Sequence, residues 1–239
     1  MEKMLAKLKD DFIQTFIEAE RWKALGRGVG VTLEITVLAL LVGVVLGVLA
    51  AVIRSSYDQT VSGRRANPVL SVLNALAKVY LTVVRGTPVV VQLLIMYFVI
   101  MVSSTSKILV ATLTFGINSG AYVAEIIRSG IMSIDRGQME AGRSLGMSYV
   151  STMWYIIIPQ AVRSILPALG NELIALLKET SVVNVVGMVD ITKWAIQIQG
   201  RTYQAFMPYI GIAAVYLSMV LILTKLVALL EKKLRQSEK

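Results

Sequence analysis

Glu140-Ala-Gly-Arg-Ser-Leu-Gly146, then the nine residues from Met147 to Tyr155, then Ile156-Ile-Ile-Pro159, form a polar, helix-coded island between two long apolar runs. Asp135 or Ser133 is placed to cap a short helix, and acidic groups near a helix start suit its dipole. Gly146 tolerates the left-handed backbone that stops a helix, and Ser148 is placed to cap a second one. Pro167 falls early in the following apolar run. The expected product is two short helices meeting at a sharp corner, a rigid knob. An ordinary surface hairpin would account for Glu-Ala-Gly alone. The full spacing and the apolar surroundings are what give the stretch its meaning.

Composition says what surrounds this knob. Hydrophobic residues make up 56% of the 239-residue chain and charged residues only 16%. The mean hydropathy is +0.69. These values fit an all-α integral membrane protein with several spans. The net charge of +9 is expected to lie on loops facing the cytoplasm and anionic lipid headgroups, and no nucleic-acid partner is expected. The chain has no Cys and no His, which removes thiol chemistry and His- or Cys-based metal sites. It also lacks the Gly-x4-Gly-Lys-Ser/Thr loop, so any ATP and Mg that drive it belong to another chain, and no cofactor is expected on this one.

Outward from the knob, apolar runs alternate with polar connectors. Residues 1–27 read as an amphipathic helix, with Leu5, Leu8, Phe12 and Phe16 at helical spacing. It lies either along the membrane surface or against the bundle. Gly28 to Ile53 is long enough to span a bilayer and carries Gly43 and Gly47 at close-packing spacing. Arg54 to Pro68 is a polar connector. Val69 to Val102 is apolar but interrupted by Arg85-Gly-Thr-Pro88, and reads as one bent helix or two short ones. Ile108 to Ile127 and Leu166 to Val189 are further runs, the second with a polar interior. Asp190 to Tyr203 reads as a connector, Phe206 to Leu230 as the last span, and 231–239 as a charged tail. The membrane domain is thus 28–230, with the knob at about 133–160.

The knob resembles the signature of ABC importer membrane subunits: Glu-Ala-Ala, three residues, Gly, nine residues, Ile-x-Leu-Pro. Gly142 replaces the usual Ala and Ile158 the usual Leu. Arg85-Gly-Thr-Pro88 with Gln92, Ala121-Tyr-Val-Ala-Glu-Ile126, Asn171-Glu-Leu-Ile174 and Lys178-Glu-Thr-Ser181 are similar to the polar amino acid branch of these permeases, over roughly residues 28–230. The resemblance favours about five spans. It implies that Glu140, Ala141, Gly142, Gly146 and Pro159 belong to a cytoplasmic coupling loop docked on an ATPase subunit. It implies two ATPase copies, a second permease subunit (an identical copy or a close paralogue) and an extracytoplasmic amino-acid-binding protein. The setting is the plasma membrane of a prokaryote. With two spans after the loop and three before it, the C-terminus lies in the cytoplasm and the N-terminus outside. Twelve Lys and Arg then fall on internal segments and three on the external loops, although the N-terminal segment adds six of its own. The alternative is an ion-coupled secondary transporter or channel subunit, which would be expected to show internal repeats and leaves the knob unexplained.

Charged residues inside spans usually face a cavity or a partner, and Glu34, Lys78, Glu125, Glu172, Lys178 and Glu179 qualify. Asn118, Tyr122 and Glu125 recur at i, i+4, i+7 and share a helix face, with Gly116, Gly120 and Ala124 roughly opposite as a packing stripe. The polar face is expected to line a cavity; the competing reading pairs Glu125 with Arg128 in a structural role. Ser181, Asn184 and Met188, at i, i+3, i+7, form a second candidate wall. The expected substrate is a polar amino acid, with a basic one such as arginine, lysine or histidine preferred because Glu125 would face its cation, and Asp190 as an alternative anion.

Overall fold

A computed structural model describes residues 2–61 and 67–236, and among these the chain is helical throughout with no strand. Helix α1 (Glu2–Phe12) is the predicted amphipathic segment. None of its residues is buried, so it stands clear of the bundle instead of packing against it. Its chain then widens through Ile13–Ile17 and kinks at Ala19 and Glu20, whose φ values are 51° and 53°. The amphipathic unit therefore ends at the kink, earlier than residue 27. Helix α2 (Arg21–Val61) follows as one 41-residue rod, about 60 Å long and so longer than a bilayer is thick.

The second apolar region is two helices. Helix α3 (Pro68–Gly86) starts on a cap from the Asn67 side chain and stops before Pro88, and α4 (Val89–Ile95) continues through a wider turn to Ile100. Helix α5 (Lys107–Met132) begins on a Ser106 cap and crosses the centre of the molecule. The knob consists of α6 (Arg136–Ser144) and α7 (Tyr149–Thr152), after which the chain enters α8 (Ile158–Glu179).

Two expectations are corrected beyond this point. The run from Leu166 to Val189 is not a single α-helix: α8 starts earlier, at Ile158, and tightens into a 3-10 segment over Thr180–Val186 that ends on Gly187 with φ 73°. The stretch from Asp190 to Tyr203 is not a plain connector but helix α9 (Ile191–Thr202), capped by Asp190, with Ile191, Trp194, Ala195 and Ile198 buried. Helix α10 (Phe206–Gln236) carries the first part of the charged tail.

Among the described residues, four helical stretches are long and apolar enough to cross a membrane: the α1–α2 rod to Asp58, α3, α5 and α10. Helix α8 is not among them because Arg163, Asn171, Glu172, Lys178 and Glu179 interrupt its apolar character. Yet α8 lies against both α5 and α10, joined to α5 by a 2.7 Å hydrogen bond between Ser119 Oγ and Glu172. It packs between α5 and α10, with Ala161, Ile174, Leu176 and Leu177 buried.

The packing depends on small residues where helices meet. A Cβ at Gly43 would lie 2.9 Å from Ser119 Oγ, one at Gly47 2.5 Å from Val123, and one at Gly116 2.6 Å from Val42. Helices α2 and α5 therefore approach backbone to backbone, as the spacing of these glycines predicts. Towards one end, Ile35, Ala39, Leu93, Phe115, Leu176 and Val183 pack together from α2, α4, α5 and α8 with its 3-10 extension. Beyond them Trp194 stacks on Phe16, centroids 5.5 Å apart, and donates its indole N–H to the Arg21 carbonyl at 3.0 Å. This ties α9 to the start of α2.

Candidate functional site

The break between α3 and α4 builds the site. In an unbroken helix the Val84 carbonyl would accept from the amide of residue 88, but Pro88 has none. The Gln92 side chain takes its place: Nε2 donates to the Val84 carbonyl at 2.8 Å, to the Thr87 carbonyl at 3.1 Å and to Thr87 Oγ1 at 2.8 Å. Its Oε1 accepts from Asn118 Nδ2 at 3.0 Å. Asn118 is thereby committed to holding the break in place. It is buried behind the site and does not line it.

Holding the break fixes Arg85. Its guanidinium lies over the Tyr122 ring, 5.5 Å from the centroid, and 3.7 Å from Glu125 Oε2. The other Glu125 oxygen is 3.8 Å from Arg128, which in turn lies 3.9 Å from Asp58 on α2. These are ionic contacts beyond hydrogen-bond length, so the carboxylate keeps lone pairs for a ligand. A cavity of about 590 Å³ opens here between α3, α5 and α8, with Arg85, Tyr122, Glu125, Asn171 and Glu172 on its walls. One guanidinium and two carboxylates thus face a common space of the size that holds a small organic ligand.

The second candidate wall does not join this space. Ser181 and Asn184 lie in the 3-10 segment, where their spacing no longer defines one face, and Asn184 Nδ2 donates to the Ser181 carbonyl at 2.6 Å. Met188 is buried in the apolar cluster around Phe115. Ser181 lines a separate cavity of about 350 Å³ with Lys178, Thr192 and Tyr216. Glu34 is exposed on α2, away from these cavities. Arg85, Asn171 and Glu172 are the wall residues that the spacing arguments left unassigned. The signal for them was charge and amide inside apolar runs, which names candidates without saying which cavity they share.

The knob is closed at each corner. Asp135 Oδ1 accepts from the Gly137 amide at 2.6 Å to cap α6, and Ser148 Oγ accepts from the Ser151 amide at 3.1 Å to cap α7. Between them Gly146 adopts φ 82°, and the amides of Leu145, Gly146 and Met147 return to the carbonyls of Ala141, Arg143 and Gly142. This is the left-handed helix stop expected of that glycine. Glu140 and Ala141 are exposed on the outer surface, and Pro159 lies in the first turn of α8. Leu145, Val150, Trp154 and Tyr155 project around them with 64% or more of their surface accessible. At the inner side of the knob, burial pushes the Tyr149 hydroxyl above its ordinary pKa, opposed by a hydrogen bond with Ser55 of α2.

Comparison with known proteins follows the same lines. Residues 43–236 match the family of binding-protein-dependent transport system inner membrane components. The glutamine transport system permease protein GlnP of Escherichia coli K12 is 37% identical over 212 residues, covering 87% of this chain and 91% of its own. The arginine transport system permease protein ArtQ of Bacillus subtilis 168 is 36% identical over 214 residues, 88% of this chain and 92% of its own. Among solved structures, a chain from an amino acid ABC transporter with histidines superposes with a TM-score of 0.79 at 41% identity, covering 88% of this chain and 94% of that one. The fold is also that of the inward-facing MetNI methionine transporter, TM-score 0.69 at 19% identity, over 93% and 99% of the two chains.

Proposed function

This chain belongs to the family of binding-protein-dependent transport system inner membrane components and is a permease subunit of an amino acid ABC importer; on that premise we propose that it carries basic amino acids through the cavity around Arg85, Glu125 and Glu172. It is a multi-pass membrane protein that works with an ATPase and a binding protein, and its family does not favour the ion-coupled alternative. The observation that supports a basic substrate is the charge of the cavity wall, one cation against two carboxylates. Every amino acid presents a carboxylate and an ammonium. Arg85 takes the first through its planar fork and one Glu takes the second. The remaining Glu is then free to receive a cationic side chain, which glutamine lacks. Relatives named for glutamine and for arginine are nearly equally similar, so the choice turns on this wall.

The ATP that drives the import is bound by two copies of the ATPase. Glu140, Ala141, Gly142, Gly146 and Pro159 shape the knob that docks on them, and the exposed Leu145 and Trp154 supply apolar contact area beside those residues. A second permease subunit, identical or closely related, completes the translocation path. The test is uptake in proteoliposomes holding the full complex. Glu125→Gln and Glu172→Gln should each lower arginine and lysine uptake about tenfold or more, since a charge-assisted hydrogen bond contributes roughly 1.5–3 kcal/mol. Glutamine uptake, where present, should fall less. Arginine transport unchanged in both variants would remove the cation-binding role and leave the substrate open among polar amino acids.

A further inference from the structure

A second cavity shares a wall with the first but has the opposite charge. It encloses about 530 Å³ between α2 and α3, and Arg54, Lys78 and Arg85 line it with Leu81, Thr82 and Tyr122. No acidic residue is among those lining residues. Asp58 of α2 pairs with Arg128 at 3.9 Å, and Glu125 of α5 pairs with Arg85, the third cation of this cavity, at 3.7 Å. Arg54 and Lys78 form no ion pair with any described carboxylate. The Nε of Arg54 is buried without a hydrogen-bond acceptor, and Lys78 meets only the Tyr57 ring, 5.9 Å away. Two cations are thus held at a membrane-spanning interface with no described carboxylate to neutralise them, which is costly unless a partner supplies the negative charge.

The surroundings identify the partner. Arg54 adjoins Ser55, which bonds Tyr149 of the knob, so the cavity opens on the knob's side of the membrane. Val52 and Leu49 on α2, and Leu76, Val79 and Val83 on α3, leave apolar side chains exposed along the same two helices. Cationic groups at headgroup depth flanked by apolar helix faces match a molecule with an anionic head and hydrocarbon tails. We propose that Arg54 and Lys78 hold the phosphate of an acidic phospholipid in the leaflet on the knob's side, with its acyl chains lying along the exposed faces of α2 and α3. Arg85 closes the far wall but remains turned to Glu125.

The site is testable by native mass spectrometry of the delipidated permease–ATPase complex, titrated with phosphatidylglycerol or with phosphatidylcholine of the same chains. Wild type should retain phosphatidylglycerol in preference to phosphatidylcholine. Each Lys or Arg near an anionic surface strengthens binding about fivefold, so the double variant R54Q/K78Q should weaken phosphatidylglycerol retention about twenty-five-fold. The charge-preserving R54K/K78R should retain it near the wild-type level. Equal retention by wild type and R54Q/K78Q would overturn the proposal, as would R54K/K78R losing lipid as fully as R54Q/K78Q. Inorganic phosphate at millimolar concentration should not displace the lipid; if it does, the site takes a soluble anion and the lipid assignment fails.

Discussion

Gly142 shows how one atom decides a local packing problem. The related signature has Ala at this place, yet a Cβ on Gly142 would lie 2.5 Å from Thr152 Cγ2 and 2.9 Å from its hydroxyl. Thr152 is fully buried and β-branched, with its hydroxyl donating to the Ser148 carbonyl at 3.0 Å, so it has little room to give. The glycine is thus the complement of Thr152. Gly142→Ala should destabilise the knob by about 1–3 kcal/mol, the usual cost of overpacking. Adding Thr152→Ala should recover much of that loss. Thermal unfolding of the purified complex measures both, and a Gly142→Ala variant as stable as wild type would show that the corner relaxes. The sequence marks Gly142 as a departure, but the reason is a residue ten positions later whose proximity only the folded corner creates.

Among the helices, reliability followed how local the determinant was. The knob was legible to the residue because Asp135, Gly146 and Ser148 act on backbone within a few positions of themselves. Gly43, Gly47, Gly116 and Gly120 likewise marked close-packing faces, although not which helices meet there. Helix α9 was missed because Lys193, Gln197, Gln199 and Arg201 hide an apolar face that is explained only by its neighbours Phe16 and Ile212. The tightening at Thr180 was missed for a related reason: the Asn184 side chain donates to the Ser181 carbonyl, and α-helical spacing assumes that no such bond competes. The cavity wall was half legible. Tyr122 and Glu125 came from one helix, whereas Arg85 depends on the Gln92 repair of a break and Glu172 on a bond to Ser119 across helices. At this scale Gly146→Val is the informative variant. A β-branched residue at φ 82° is strained. The variant should reach the membrane folded but lose ATPase association in pull-down, and with it most uptake. Normal association and normal uptake would refute the docking role.

For the whole molecule, the arrangement in the bilayer is open to direct measurement because the chain has no cysteine of its own. Leu145 at the tip of the knob is 82% accessible, and Tyr203 at the end of α9 is 93% accessible near the other end of the long α2 rod. In right-side-out vesicles, Tyr203→Cys should react with a membrane-impermeant maleimide and Leu145→Cys should react only after permeabilisation. The reverse pattern would invert the assigned orientation. Between these two ends the knob has a mechanical character. Its caps are filled, its left-handed corner is bonded back to the preceding turn, and its buried face has no slack at Gly142. Such a piece does not absorb work by bending. On the proposed docking role, a push at Leu145 passes to α5 and α8, the helices that lead into and out of the knob and bear walls of the charged cavity. In that role the knob is the stiff link in a lever, and the compliance lies outside it.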